Sequence, residues 1–262
     1  MIRLGLIGDN IKPSQAPMLH REAGRLAGLA VSYELLIPGE IGKGFDLIFD
    51  DCRESGMRGL NITYPYKQVA VARAKIDDPL VRRLGAINTV IFEDGAARGY
   101  NTDHSGFIAA WRAAFGPASP GAGRAVAFGL AALGATELTI VDTDAAKAEA
   151  LKHALGDFAM AVTVRDAADA EIRAAEGVVN CTPVGMTGHP GSPIDVSLLG
   201  PQRWAFEAIY TPGQTEFSLA ASAAGLDVVG GYELFIHQGL DAFRLFTGRT
   251  VDERALRAAL SK

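Results

Sequence analysis

The sequence contains few metal-binding or crosslinking residues. It has only two cysteines, Cys52 and Cys181, which stand far apart and lack the spacing of metal ligands. Its five histidines also lack the i, i+4 spacing of a helical metal site, so we expect no metal. So little cysteine is typical of a reducing compartment and excludes a disulfide framework. We therefore expect a cytoplasmic protein.

The sequence also lacks a basic excess and long hydrophobic runs. Lys and Arg number 25 against 30 Asp and Glu, giving a net charge of −5, whereas nucleic-acid binding proteins carry a clustered basic excess. No stretch reaches the ~18 apolar residues that cross a bilayer. The first segment, MIRLGLIGDN, breaks at Gly8 and has no cleavage site. We expect a soluble monomer or homodimer that binds neither nucleic acid nor membrane.

What is present is an alternation of strands and helices over 262 residues, enough for two domains. A strand over 2–7 leads into a helix over 17–28, and the strands over 31–37 and 59–63 enclose a helix over 43–55. This order predicts an α/β fold with a mostly parallel sheet. The Pro/Gly/Ser-rich segment FGPASPG (115–121) is interpreted as the junction between domains.

The segment GLNITYPYK (59–67) combines a strand pattern with polar groups. The alternation of a strand places Asn61 and Thr63 on the face opposite Leu60 and Ile62. Pro65 should end the strand and hold Lys67 in the following turn. A single lysine of this kind is more often a solvated surface residue.

The segment GAGRAVAFGLAALGATELTIVDTD predicts a dinucleotide site. A turn with Gly121 and Gly123 opens a helix, and Asp142 ends the next strand. Backbone amides at such a helix N-terminus bind pyrophosphate, and the acid binds the ribose hydroxyls. Because a carboxylate repels a 2′-phosphate, Asp142 favours NAD over NADP, although NADP stays possible. The alternative is an ordinary surface turn before a helix.

This glycine turn follows FGPASP, which cannot be the buried strand that the motif requires. Either the protein lacks the first strand of its nucleotide fold, or the printed sequence omits residues. We favour the second interpretation, because a nucleotide sheet without its first strand loses its central element.

Several segments together resemble the shikimate/quinate dehydrogenase family, and the set in this order is far more specific than any one of them. They cover nearly the whole chain, and the end of the second nucleotide strand at Asp142 is most similar to the NAD-using quinate/shikimate branch. The matching segments are GLIGDNIKPSQAPMLH (5–20), GLNITYPYK (59–67), GAINTV (85–90), GYNTDHSGF (99–107), VVNCTPVGM (178–186), EAIYTPGQTEF (207–217) and GGYELFIHQGLDAF (230–243).

The resemblance implies a two-domain α/β protein whose domains face each other across a cleft. The substrate-binding α/β domain is expected over 1–103 with 232–262, and a Rossmann-like dinucleotide-binding domain over 104–231. The implied activity is oxidoreduction of a small polyol acid, shikimate or quinate, with NAD as cofactor.

The resemblance also implies roles for individual residues. Lys67 and Asp103 match the catalytic pair, which exchanges the proton while hydride moves at carbon. Ser14 matches a ligand of the substrate carboxylate, and Thr182 is assigned to the cofactor. The expected ligands of the ring hydroxyls are Asn61, Thr63, Asn88 and Gln238, and Tyr210 is a further substrate contact. Separately, each could be an ordinary turn, cap or strand-end residue.

Three departures from the family pattern leave alternatives open. Ala16 replaces a hydroxyl of the carboxylate-binding motif, which costs ~1 kcal/mol of substrate binding. Glu207 replaces the usual Asp, and the glycine loop is interrupted. The alternatives are an NADP-dependent biosynthetic shikimate dehydrogenase and a catalytically inactive homologue that binds small acids.

Overall fold

The computed structural model describes residues 1–115, 124–165 and 169–261. These residues form two compact units, 1–102 with 238–262 (unit 1) and 103–237 (unit 2). The two boundaries that the resemblance implies lie one and six residues from these, whereas the segment 115–121, interpreted as the junction between domains, falls inside the residue range of unit 2. The assignment of a substrate domain and a dinucleotide domain to these ranges stays a prediction. None of the helices within 1–115, 124–165 and 169–261 combines the length and the hydropathy of a membrane span.

Unit 1 is built on five strands and the helices that cover them. Its strands are β1 (Ile2–Ile7), β2 (Val31–Leu36), β3 (Gly59–Ile62), β4 (Thr89–Glu93) and β5 (Ala96–Tyr100). Its helices are α1 (Ala16–Leu26), α2 (Pro38–Ile41), α3 (Phe45–Glu54), α4 (Pro79–Leu84), the second part of α10 (Gly231–Thr247) and α11 (Glu253–Leu260), and a 3-10 helix spans Val69–Arg73.

The sheet of unit 1 has the order β2-β1-β3-β4-β5. Strands β2, β1 and β3 run parallel, whereas β4 and β5 run antiparallel to their neighbours. The register pairs Ile7 with Ile62, Asn61 with Thr89, and Thr89 with Tyr100. The carboxyl ends of β1 and β3, the start of β4 and the end of β5 therefore share one edge of the sheet.

Alternation along the strands fills a core on each face of this sheet. Leu60 and Ile62 pack with α3 on one face, as the strand pattern predicted. Leu4, Leu6 and Tyr33 pack on the other face with Phe246 of α10. Asn61 is also on this second face, where it is buried beside Tyr33.

Unit 2 contains the remaining elements. Its strands are β6 (Glu137–Val141), β7 (Ala161–Arg165), β8 (Gly177–Asn180), β9 (Trp204–Glu207) and β10 (Asp227–Val229). Its helices are α5 (Thr102–Phe115, whose first residue belongs to unit 1), α6 (Arg124–Leu133), α7 (Ala145–Leu155), α8 (Asp169–Ala174), α9 (Glu216–Ala223) and the first part of α10, and a 3-10 helix spans Val196–Leu198.

The strands of unit 2 form two separate parallel sheets, β6-β7 and β10-β9-β8. A doubly wound nucleotide fold has the strand order 3-2-1-4-5-6, with its first strand in the centre. If β6 and β7 are strands 2 and 3, then β8, β9 and β10 are strands 4, 5 and 6. The two sheets are thus the two halves of this order, and among the described residues no strand takes the central place.

The central strand would have to precede α6 in the chain. Only eight residues, GPASPGAG (116–123), lie between the end of α5 and the start of α6, and they lie outside the described residues. Two of them are prolines, which central strands exclude. The interpretation that the sequence omits residues stays a prediction.

An aromatic core stabilises unit 2 around α5 and β9. Trp111 of α5 meets Trp204 of β9 edge to face, with ring centroids 4.7 Å apart, and Phe107 meets Phe206 in the same way at 4.9 Å. Edge-to-face pairs of this kind contribute about 0.5–1.5 kcal/mol beyond the burial of their area. Residues of α6 and β10 complete this core.

Candidate active site

The predicted site residues of unit 1 lie in segments where β1 and β3 end and the antiparallel strand β4 begins. Ser14 is in the loop after β1, Thr63 and Lys67 follow β3, and Asn88 precedes β4. The strand register puts Thr63 and Asn88 at the same edge of the sheet, and the hydrogen bond from the Ile87 N–H keeps the Lys67 backbone beside Asn88. The loop with Ser14 leaves this edge at the end of β1. Open α/β sheets bind their ligands at this edge, since loops from several strands converge there.

The turn after β3 fixes the backbone of Lys67. The Thr63 N–H donates to the Ile7 carbonyl (3.0 Å), and the Ile87 N–H donates to the Lys67 carbonyl (2.9 Å). Between these two bonds, the Tyr66 hydroxyl donates to Asp9 (3.2 Å), and its ring stacks on Phe45. Partial desolvation, with a smaller contribution from Asp9, raises the pKa of Tyr66. The half-buried Lys67 therefore lies in a turn that is hydrogen-bonded to β1 on one side and to the residues before β4 on the other.

Asn61 lies at the centre of a buried polar network. Its Oδ1 accepts a hydrogen bond from the Tyr33 hydroxyl (2.9 Å), and its Nδ2 donates to Thr89 Oγ1 (3.1 Å) and to the Asn88 carbonyl (3.3 Å). Both amide hydrogens are therefore used inside unit 1. Any contact of Asn61 with a substrate hydroxyl would use Oδ1, and this contact stays a prediction.

Asn88 continues the network to the start of α5. Its Oδ1 accepts from the Thr102 N–H (2.7 Å), and its Nδ2 donates to Thr102 Oγ1 (3.0 Å). The Asn88 side chain thereby caps the helix in which Asp103 is the next residue. Since Asn88 and Thr102 are both buried, losing either partner would leave unsatisfied polar groups at a cost of about 1–3 kcal/mol.

His20 lies under the network in the aromatic core of unit 1. Its ring stacks on Tyr33 with centroids 4.9 Å apart and meets the edge of Phe246. Burial lowers the pKa of His20 to about 3, against a smaller opposing effect of a hydrogen bond with Asn61. His20 is therefore neutral at pH 7, and it supports the site rather than exchanging protons.

Ser14 and Gln238 are held by helices of unit 1. The Ser14 hydroxyl accepts from the Ala16 N–H (3.3 Å) at the start of α1, and the side chain is half-buried. Gln238 is on α10, directly before Gly239. A side chain at Gly239 would come within 2.6 Å of Leu19 in α1, so the glycine allows this turn of α10 to lie close to α1.

In unit 2, Thr182 and Tyr210 occupy the loops that follow the neighbouring strands β8 and β9. The Tyr210 ring stacks on Phe235 of α10, with centroids 4.8 Å apart. The Thr182 N–H and hydroxyl donate to Asn180 Oδ1 at 2.9 and 2.8 Å. Both predicted contacts are thus at carboxyl ends of parallel strands.

Asp142 directly follows β6 and is exposed. Its Oδ1 accepts from the Asp144 N–H (2.9 Å), while Asp144 caps α7 by accepting from the N–H groups of Ala146 and Lys147. The hydrogen bond from the Lys147 N–H, more than its other contacts, lowers the pKa of Asp144. The predicted pyrophosphate residues Gly121 and Gly123 lie outside the described residues.

Sequence reasoning missed three residues of this arrangement, namely Tyr33, His20 and Thr102. The alternation in VSYELLI gives Tyr33 a buried position, but nothing in the sequence links its hydroxyl to a residue on β3. Thr102 stands beside two predicted residues in NTD, and a helix-capping signal there could have identified it.

Comparison with known proteins identifies the family. The family model of the shikimate dehydrogenase substrate binding domain matches residues 6–90, and that of the shikimate 5′-dehydrogenase C-terminal domain matches 231–260. A shikimate dehydrogenase (NADP(+)) of Pseudarthrobacter chlorophenolicus is 40% identical over 271 residues, covering 97% of this chain and 92% of the relative. A quinate/shikimate dehydrogenase (NAD(+)) of Corynebacterium efficiens is 38% identical over 274 residues, covering 98% and 96%.

Solved structures agree with these relatives. The quinate dehydrogenase from Corynebacterium glutamicum in complex with NAD has a TM-score of 0.88 and 34% identity, covering 99% of this chain and 98% of that one. The shikimate 5-dehydrogenase from Thermus thermophilus, in complex with NADP(H) and shikimate, has a TM-score of 0.85 and 30% identity, covering 100% and 99%. The chain therefore belongs to the shikimate/quinate dehydrogenase family of NAD(P)-dependent oxidoreductases, as its motifs predicted. The predicted two-domain α/β fold class is confirmed as well.

Proposed function

We propose that the protein is an NAD-dependent oxidoreductase that interconverts shikimate or quinate with its 3-dehydro form. The observation that carries this proposal is the edge of the unit 1 sheet, where Ser14, Thr63, Lys67 and Asn88 lie on converging loops. The buried network behind this edge holds its polar groups in place before any ligand arrives. Such a site suits a small, rigid acid with several hydroxyl groups.

Recognition of the substrate is divided between its two ends. The Ser14 hydroxyl is the proposed donor to the carboxylate, with Ala16 contributing no second hydroxyl. The proposed ligands of the ring hydroxyls are Asn61, through its Oδ1, and Thr63, Asn88 and Gln238, with Tyr210 as a further proposed contact of the substrate. When an analogue lacks one of these hydroxyls, the protein group that would bind it stays buried without a partner. This arrangement therefore discriminates strongly against analogues that lack a hydroxyl.

The proposed proton carrier is Lys67. Oxidation of the ring alcohol removes a proton from oxygen and a hydride from carbon. The Lys67 amine would accept the proton, and the Asp103 carboxylate would stabilise the resulting ammonium; reduction of the ketone reverses both steps. Asn88 supports this role, because it fixes Thr102 at the start of the helix that carries Asp103.

The residues present fit the ribose end of a dinucleotide. Asp142 stands exposed after β6 with one carboxylate oxygen engaged by the local turn, which leaves the other for a ribose hydroxyl. When bound there, the dinucleotide supplies or accepts the hydride. Thr182, in the loop after β8, is the proposed second contact.

Asp142 is also the reason for proposing NAD rather than NADP. The four residues after Asp142 include no lysine or arginine. The next cationic residue is Lys147, and its Nζ lies 3.4 Å from Oδ2 of Asp144. A 2′-phosphate would meet two carboxylates here. Similarity alone does not separate the two cofactors, since relatives named for NADP and for NAD match almost equally well.

A second candidate function is binding of a small acid without turnover, and the split sheet of unit 2 favours it. Strands β6 and β8 have no partner on their inner edges in the residues described. The alignment with the Pseudarthrobacter relative is also longer, at 271 residues, than this chain of 262 residues, so that relative carries residues that this chain lacks. Loss of the central strand would weaken the pyrophosphate site and leave unit 1 able to bind its acid.

One experiment separates the two candidates. The purified protein is mixed with shikimate or quinate and with NAD or NADP, and reduced cofactor is followed by its absorbance, while calorimetry measures binding of each acid alone. Turnover with NAD supports the proposed function. Binding of an acid without turnover on either cofactor supports the second candidate. A protein that neither binds an acid nor turns one over would contradict both candidate functions.

A further inference from the structure

A buried carboxylate lies between the two loops that carry Thr182 and Tyr210. Glu207 is the last residue of β9 and is only 2% exposed. Its Oε2 accepts hydrogen bonds from Thr215 Oγ1 (2.6 Å) and Asn180 Nδ2 (3.1 Å), and its Oε1 accepts from the Ile209 N–H (3.0 Å). Within the described ranges, no cation forms an ion pair with it.

Asn180 extends these contacts into the loop after β8. It is fully buried and is the register partner of Glu207 on the adjacent strand. Its Nδ2 donates to the Val184 carbonyl (3.0 Å) as well as to Glu207, and its Oδ1 accepts twice from Thr182. The orientation of the Asn180 amide is therefore fixed from both ends. The Glu207–Asn180 pair provides the buried polar link between loop 181–186 and loop 208–215, and Gly185 also packs against Thr215.

Further packing holds loop 208–215 on its other side. A side chain at Gly231 would come within 2.5 Å of the Ile209 carbonyl oxygen, so the start of α10 lies directly against this loop. Phe235, one turn later on α10, is the residue on which Tyr210 stacks. The Thr215 side chain also caps α9 by accepting from the Ser218 N–H. The position of Tyr210 thus depends on a loop that Glu207 ties down at Ile209 and at Thr215.

We propose that Glu207 is a positioning residue that fixes loops 181–186 and 208–215 relative to each other. Burial raises the pKa of Glu207, against the opposing effect of its hydrogen bonds. A buried carboxyl of this kind is tolerated only where donors surround it, and the donors here come from both loops. The consequence for catalysis rests on the proposed function: Glu207 would set where Thr182 meets the dinucleotide and where Tyr210 meets the acid.

The discriminating variant is Glu207→Gln. Glutamine has the same size, but its amide must direct hydrogens at either the Ile209 N–H or the Asn180 amide, which are themselves donors. Asn180 cannot turn over to compensate, because its Oδ1 accepts from Thr182. Glu207→Asp keeps the charge with a shorter reach and serves as the conservative variant. Glu216→Gln is the matched control, since Glu216 is exposed and directly follows Thr215.

The measurement is hydrogen–deuterium exchange on the full chain without ligands. In Glu207→Gln, the amides of Thr182, Val184 and Ile209 should exchange about tenfold faster or more, the factor that corresponds to 1.4 kcal/mol. The amides inside β8 and β9 should stay within about twofold, as should all amides of Glu216→Gln. Glu207→Asp should give a smaller acceleration at the same amides.

Two results would overturn the proposal: unchanged exchange in both loops, or an equal acceleration throughout unit 2, which would make Glu207 a general stabilising residue. If Glu207→Gln does not fold, Glu207→Asp decides by the same criterion. Where the wild type turns over substrate, Glu207→Gln should also raise KM for acid and cofactor together, with Glu207→Asp restoring part of the loss. A wild type without turnover contradicts the proposed function and leaves the exchange result standing.

Discussion

Replacing Tyr33 with phenylalanine removes one buried hydroxyl and keeps the ring that stacks on His20. The hydroxyl donates to Asn61 Oδ1 at 2.9 Å, and the amide hydrogens of Asn61 are already used by Thr89 and the Asn88 carbonyl. The amide therefore cannot turn to find another donor. A buried acceptor that loses its donor costs about 1–3 kcal/mol of stability. Because Asn61 keeps its hydrogen bond with His20, we expect a loss of about 1–2 kcal/mol in the free energy of unfolding.

Scanning calorimetry measures this loss. For a protein of this size, 1 kcal/mol corresponds to a shift of about 2–4 °C in Tm, so Tyr33→Phe should lower the Tm of the transition of unit 1 by about 2–8 °C. Tyr100→Phe is the matched control, because in the described chain the Tyr100 hydroxyl makes no hydrogen bond, and its Tm should change by less than about 2 °C. Equal shifts in the two variants would refute the network as the source of the stability.

Three further predictions concern the proton pair, the cofactor and pH. Lys67→Ala should lower kcat by about 100-fold or more with little change in KM, and the double variant with Asp103→Asn should lose far less than the product of the single losses; a rise in KM alone would make Lys67 a substrate clamp. Asp142→Ala should weaken NAD and favour NADP relative to wild type in steady-state kinetics, and a wild type that prefers NADP tenfold would contradict this use of Asp142. The pKa of His20 falls from 6.5 to about 3 on folding, so between these pH values the unfolded chain binds more protons than the folded chain. The stability that the neutral His20 contributes is therefore fully present above pH 6.5 and is lost as the pH falls from 6.5 towards 3. The loss due to His20 should be about 1.4 kcal/mol between pH 7.5 and 5.5, measured as the difference in urea unfolding between wild type and His20→Phe, and a difference independent of pH would show that His20 is not buried as a neutral group.

The edge of the sheet that carries the candidate site could be predicted from the sequence. Asn61 and Thr63 stand where the hydrophobic pattern of β3 ends, and Asn88 directly precedes the pattern of β4. Because β4 runs antiparallel to β3, its start lies at the same edge as the end of β3. Their hydrogen-bond partners could not be predicted, because Tyr33 and Asn61 are 28 residues apart and meet only through the register of β2, β1 and β3. The alternation identifies the face of each side chain but not the neighbour across the sheet.

The local structure of two segments between β3 and β4 was predicted only in part. Helix α4 was not predicted, although its signals are present: Asp78 accepts from the Leu80 N–H, Pro79 occupies the first turn, and Gly85 takes a left-handed conformation at the end. The residues directly after β3 form the turn that holds Lys67, and the helical segment beyond it, Val69–Arg73, is a 3-10 helix. The capping residues of α4 are thus sufficient to indicate that helix, whereas backbone contacts of the turn after β3 with its neighbours set the conformation around Lys67.

The aromatic core of unit 2 gives the protein an intrinsic spectroscopic reporter. Both tryptophans of the chain, Trp111 and Trp204, lie in that core, and unit 1 contains none. Intrinsic tryptophan emission therefore follows unit 2 alone, while far-ultraviolet circular dichroism follows both units. Comparison of the two signals during denaturation will show directly whether the half with the divided sheet unfolds before the half that carries the proposed substrate site.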